Sequence, residues 1–168
     1  MKGLQFKIDG DWAHFKKPET NNNPLSHDLI PKTALIGMIG AVLGIEREKM
    51  KSLFPQLSED LLYGVELLKP VKKASCGFTS HTAISPTAIK SPKAFEMLRD
   101  VSYKVCVGLY GERSQSIFYE FQKAILEGYA VYNPYLGIAN CPAELTFISQ
   151  GEFTMMGNGD FKTKGFVI

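Results

Sequence analysis

Three histidines, three cysteines, nineteen basic and seventeen acidic side chains are the groups through which this 168-residue chain can do chemistry. Their spacing narrows the choice. Cys76, Cys106 and Cys141 are odd in number and show no short metal-type spacing, so they support neither a disulfide framework nor a zinc site and are expected as reduced, partly buried thiols. His14, His27 and His81 fall in polar, loop-like segments without a partnered acid nearby, and no acid–base pair stands out. The cations are more telling. His14, Phe15, Lys16 and Lys17 run consecutively and put aromatic rings beside positive charge, which suits stacking a base while neutralising a phosphate. An ordinary surface loop carrying solvated lysines is the plainer alternative.

Net charge is only +2, but it is unevenly distributed. Lys and Arg outnumber Asp and Glu by 8 to 3 in residues 69–113, against 5 to 4 in 1–45, 3 to 5 in 46–66 and 3 to 5 in 114–168. A basic centre between near-neutral flanks is how an electrostatic nucleic-acid footprint looks, and also how a solvated charged face looks.

These groups need elements to hold them. The longest apolar segment, PKTALIGMIGAVLGI at Pro31 to Ile45, predicts a buried helix. Gly37, Gly40 and Gly44 fall at i, i+3 and i+7 and would line one face; since each costs about 1 kcal/mol against alanine, close approach to a sheet or a ligand is expected there. Ser26-His27-Asp28 and Pro31 place the positive end of this helix near Lys32 and Thr33, where a phosphate would be favoured or the terminus left empty.

Around that helix, Leu4 to Ile8 alternates as a half-buried strand and leads into a long polar loop. Ser58 is expected to cap a short helix that Gly64 ends, and Val65 to Val71 to form a strand. Residues 72–93 have no helical period, Val101 to Leu109 alternates clearly as a strand, and Phe95 to Leu98 is either a helical turn or the entry to that strand. A helix from Ser114 or Ser116 to Gly128 carries an apolar stripe of Ile117, Phe121, Ala124 and Ile125. Glu144 to Ser149 reads as a strand, and Gly157-Asn158-Gly159 as a hairpin turn.

This order predicts an α+β, ferredoxin-like (RRM-like) βαββαβ domain over 1–150 with an insertion at about 72–96, then a short C-terminal β-hairpin appendage over 151–168. The aromatic octapeptide of RRM strands is missing around Tyr103, so a generic RRM is a poor match. No apolar run reaches the roughly 20 residues of a membrane span and MKGLQFKIDG lacks a signal-peptide core, so a cytosolic protein is expected.

Three stretches carry a resemblance: FKIDGDWAHFKK at Phe6 to Lys17, PKTALIGMIGAVLGI at Pro31 to Ile45, and NPYLGIANCPAEL at Asn133 to Leu145. With them, the chain resembles the Cas five family, RAMP-type subunits of type I CRISPR surveillance complexes, over about Leu4 to Ser149, with a type I-B-like member as the expectation. The resemblance implies a ferredoxin-like fold with a long β-hairpin thumb between its second and third strands. It also implies a grip on the 5′ handle of a guide RNA, beside the large and backbone subunits of the complex. Carried onto this sequence, Lys72, Lys73, Lys90 and Lys93 would contact phosphates along the thumb, with Thr79 among them and Phe78 or His81 against a splayed base, although Phe78 equally reads as a packing anchor. His14 to Lys17, Lys32 and Thr33 would line the same surface, and Arg113 would add a phosphate contact.

The members that cleave their own guide precursor use a Tyr with an adjacent Lys-His pair, and this chain has no Lys-His dipeptide. A non-catalytic RNA-binding scaffold is therefore the leading expectation, with no cofactor, metal, membrane or small-molecule substrate. The alternative is a metal-independent endoribonuclease with His81 or His14 as base and Lys90 or Lys32 stabilising the transition state. A third reading is a protein-interaction module with no RNA role.

Overall fold

In a computed structural model, residues 1–20, 23–81, 89–154, 157, 159, 160, 162, 166 and 167 are described. The strands are β1 (Lys2–Ala13), β2 (Leu61–Leu67), β3 (Lys72–His81), β4 (Lys90–Leu109), β5 (Glu144–Glu152) and β6 (Phe166–Val167). The helices are α1 (Lys32–Leu43), α2 (Arg47–Asp60) and α3 (Gln115–Glu127), with one 3₁₀ turn at Glu112–Ser114 before α3. Among the described residues every strand pairing is antiparallel, in the order β5-β1-β4-β2-β6, and β3 joins only β4.

Alternation decides which face of the sheet is covered. Leu4, Phe6 and Ile8 of β1 and Tyr103, Val105 and Val107 of β4 are wholly buried, and the helices lie over them. Phe121 of α3 meets Phe6 edge-on with ring centroids 5.6 Å apart, and each such buried ring stabilises the fold by about 1.5–3 kcal/mol. The opposite face stays polar, with Lys104 3.2 Å from Glu66 and the Ser102 hydroxyl donating to Asp9 at 2.7 Å. The phenol of Tyr103 donates to the Asp28 carbonyl at 2.9 Å, and burial pushes its pKa up.

Several boundaries differ from those the sequence predicts. The first strand runs on to Ala13, so His14 and Phe15 directly follow a strand end rather than sit within a long polar loop. The second helix begins at Arg47, accommodates Pro55, and passes at Leu61 directly into β2; Ser58 is inside it and Gly64 lies in a strand opposite Cys106. Pro55 is the reason for the misreading, because a proline at that depth ordinarily breaks a helix. Residues 72–81 and 90–99 form a regular ladder with register from Lys72 opposite Arg99 to His81 opposite Lys90, in spite of the Ser, Thr and Pro content of this region; residues 82–88 of the expected insertion lie outside the described residues. Only the root of this hairpin touches another strand, since the pairing of β4 with β1 ends at Ala13 opposite Leu98.

The glycines of α1 do not let it lie close on the sheet. A side chain at Gly40 would meet Met50 of α2, Gly44 is the left-handed C-cap with φ 68°, and Gly37 faces open space. The hairpin expected at 157–159 falls largely outside the described residues; the described piece of that region, β6, pairs with β2. No described helix is long and apolar enough to cross a membrane.

Candidate nucleic-acid interface

The hairpin β3–β4 projects from the sheet, and its register sorts the candidate residues onto two faces. Opposite residues share a face and successive ones alternate. Phe78 therefore stands beside Lys93, on the face that continues through Phe95, whereas Lys90 shares the other face with Thr79 and Lys73. The sequence grouped Lys90 with Lys93; the ladder separates them. His81 is the last residue of β3, and its side chain lies outside the described set.

Phe78 is partly exposed and meets Phe95 edge-on at 5.1 Å, and Phe95 meets His14 in the same way at 5.1 Å. This aromatic line runs from the hairpin to the strand end of β1. It stops in the core, because His14 and Phe15 are 1% and 3% exposed. The expectation that these two rings stack on a base is not met by their placement: Phe15 packs toward Tyr103, and the Nδ1 of His14 lies 2.8 Å from the Glu96 carbonyl. That carbonyl only accepts, so Nδ1 carries the proton; Nε2 is then a bare acceptor, enclosed without a partner among the described residues. An enclosed nitrogen cannot reach a 2′-hydroxyl.

The cations divide by whether the chain has already paired them. Lys73 lies 2.8 Å from Asp28 and 3.1 Å from Glu96. Lys72 is 3.3 Å from Asp100, which also takes Lys69 at 2.5 Å, and these two ammonium groups hold the Asp100 carboxyl below its usual range. Arg113 reaches Asp60 at 2.5 Å and Glu59 at 2.8 Å, so the guanidinium expected on a phosphate instead ties the start of α3 to the end of α2. Lys16, Lys17, Lys32, Lys90 and Lys93 have no carboxylate partner among the described residues.

A groove of about 330 Å³ lies over the start of α1, lined by Lys16, Thr33, Ala34, Gly37, Tyr135 and Ile138 among others. No side chain caps α1 and its first turn holds no acid, so the positive end of the helix is uncompensated there. Thr33 lines the groove and Lys32 does not; the Lys32 backbone N–H faces the phenol of Tyr63, which burial pushes up in pKa. Tyr135 is half exposed at the rim, and the sequence reading gave it no role. The signal was available in its segment: Gly137 has φ 89° and packs against the His14 carbonyl, where any side chain would overlap backbone, so the loop is held in one shape.

One family model matches the chain, and several solved structures share its fold. A family model described as CRISPR-associated protein (Cas_Cas5) matches residues 3–150. A chain of a CRISPR RNA-guided surveillance complex superposes with a TM-score of 0.60 at 16% identity, covering 82% of this chain and 58% of that one. A CRISPR-associated protein superposes at 0.52 with 14% identity, covering 89% and 69%, and a Cas protein at 0.52 with 16% identity, covering 82% and 57%. This chain thus spans rather more than half the length of the first of these structures. No curated protein matches it. The match over residues 3–150 takes in nearly all of β1 to β5 and the helices α1, α2 and α3, and on that ground the chain belongs to the Cas five family of CRISPR-associated proteins.

Proposed function

We propose that this chain is a non-catalytic subunit of a CRISPR surveillance complex, and that it grips the 5′ handle of the guide RNA between the β3–β4 hairpin and the groove over α1. The observation that carries the reading is that cations without a carboxylate partner among the described residues lie on the hairpin, at Lys90 and Lys93, and at the groove, at Lys16, while the groove is walled by an accessible tyrosine. Phosphates would be met by Lys93, Lys16 and the start of α1, and a splayed base by Tyr135 or Phe78. The strand order supports a ferredoxin-like unit in which β1, α1, β2, β4, α3 and β5 are the six core elements and β3 with the outer half of β4 is the thumb. Contacts with a large and a backbone subunit follow from the same reading. The sealed position of His14 supports a binding role over cleavage.

Binding of the purified chain to its cognate repeat RNA over a salt series tests the reading. Affinity that falls with a log–log slope of about −0.7 for each phosphate contacted is expected, with the RNA left intact in EDTA. Cleavage in EDTA would overturn the non-catalytic half, and no binding at low salt, alone or in the assembled complex, would overturn the RNA-binding half.

A further inference from the structure

Residue 96 is where the hairpin leaves the sheet, and four interactions with different parts of the chain converge on it. Its backbone N–H donates to the Pro24 carbonyl at 2.9 Å, and its own carbonyl accepts from His14 Nδ1 at 2.8 Å. Its carboxylate accepts from the Ser26 N–H at 3.2 Å and from Lys73 of the neighbouring strand at 3.1 Å. Lys73 continues to Asp28, and the Ala94 N–H, two residues further out on β4, reaches the Asn23 side chain at 3.4 Å. The segment gripped in this way is itself braced, since the buried Ser26 hydroxyl accepts from the Phe15 N–H at 3.0 Å.

A two-stranded ribbon with no third strand bends and twists easily about its root. From residue 97 outward, β4 has no strand partner except β3 among the described residues, so the contacts of residues 94–96 and Lys73 with the 14–28 segment, together with the packing of Cys76 against the core, restrain that bending. The same segment supplies Lys16 to the groove.

We propose that Glu96 is a positioning residue, fixing the angle of the β3–β4 hairpin against the 14–28 segment so that Lys93 and the groove over α1 engage one RNA strand together. The inference rests on the RNA-binding reading for its consequence, but not for its geometry. An acceptor at position 96 bridges Ser26 on the body and Lys73 on the hairpin, and glutamine keeps the acceptor while alanine removes it.

Spin labels placed through an unnatural amino acid at Thr79 on the hairpin and Lys123 on α3 report the angle directly. A narrow distance distribution is expected for the parent chain and for Glu96→Gln, and a broadened one for Glu96→Ala. In RNA binding, Glu96→Ala should lose at least tenfold in affinity with a flatter salt slope, and Lys93→Ala should then cost much less than it does in the parent. Unchanged distances in a folded Glu96→Ala would overturn the proposal, as would an affinity loss with the parent's salt slope and full additivity with Lys93→Ala. If the parent chain binds no RNA, the proposed function fails while the label distances still decide the positioning role. Should Glu96→Ala not fold, Lys73→Gln opens the same bridge from the other side, and unchanged distances there would count equally against it.

Discussion

The ammonium of Lys73 lies 2.8 Å from the carboxylate of Asp28, so a cation that the charge pattern offered to a phosphate has an anionic partner within its own chain. The same holds for Arg113 beside Asp60. Charge counts along a sequence do not distinguish cations that hold the fold together from those left for a ligand. The structure does, and among the described residues it leaves Lys93, on the Phe78 face of the hairpin, and Lys16, at the groove, without a carboxylate partner.

Lys93→Ala is therefore expected to weaken handle-RNA binding severalfold and to reduce the salt slope by about 0.7, the loss of one phosphate contact, with no change in Tm. Lys90→Ala, on the opposite face, should do less, and Lys73→Ala should lower Tm. Equal effects of Lys90→Ala and Lys93→Ala on RNA affinity, measured by fluorescence anisotropy, would show that the strand does not follow one face of the ribbon.

Residues whose partners are local were legible in the sequence. Leu4, Phe6 and Ile8, and the odd positions from Val101 to Val107, alternate because one face of the sheet is buried, and Gly128, where the helix was expected to stop, ends α3 as a left-handed cap with φ 66°. Residues whose partners are distant were not. Nothing near Glu96 signals Ser26, seventy positions away, and nothing near Arg113 signals Asp60. His14 and Phe15 were misplaced for a related reason: polar neighbours marked a loop, but β1 runs five residues past Ile8, where its clean alternation ends, and delivers both rings to the core directly after its last residue. Tyr135 belongs with these, since the groove it rims is built from three separate segments.

Asp60 makes an acid-sensitive joint. Arg113 holds its carboxyl below the usual range against the opposing effect of burial, and Ser114 adds a hydrogen bond at 2.9 Å. A carboxyl depressed in the folded state contributes stability that is present above its unfolded pKa of about 3.9 and is lost as pH falls through the folded value. Asp60→Asn should consequently lower Tm at neutral pH, and the gap to the parent should close below about pH 4. Thermal melts across pH check this. A gap independent of pH would mean that the hydrogen-bond geometry at position 60, rather than its charge, is what matters.

Tyr103 joins β4 to the approach to α1 through its bond to the Asp28 carbonyl. Tyr103→Phe keeps the ring and leaves that carbonyl without its donor, a loss of about 1 kcal/mol, or roughly 2–4 °C in Tm for a chain of this size. The same variant should leave RNA affinity within about twofold at temperatures where it is folded, because the lost bond lies beneath the groove rather than in it. A larger affinity loss at full folding would show that Asp28, and with it Lys73, shifts when the bond is removed.

Gly37 separates the folding role of α1 from its proposed binding role. It sits in the interior of the helix, exposed, with nothing within 4 Å of where a side chain would begin, so nothing in the folded chain requires glycine there. Alanine should stabilise the helix by about 1 kcal/mol, whereas at Gly40 the same gain is offset, because the Met50 side chain of α2 must shift out of that space. Gly37 also floors the groove beside Tyr135. Gly37→Leu keeps a good helix former while filling that floor, so it should leave Tm at or above the parent's and reduce handle-RNA affinity at least tenfold. If Gly37→Leu binds as the parent does, the RNA does not enter the groove, and the hairpin alone must account for the basic character of the chain.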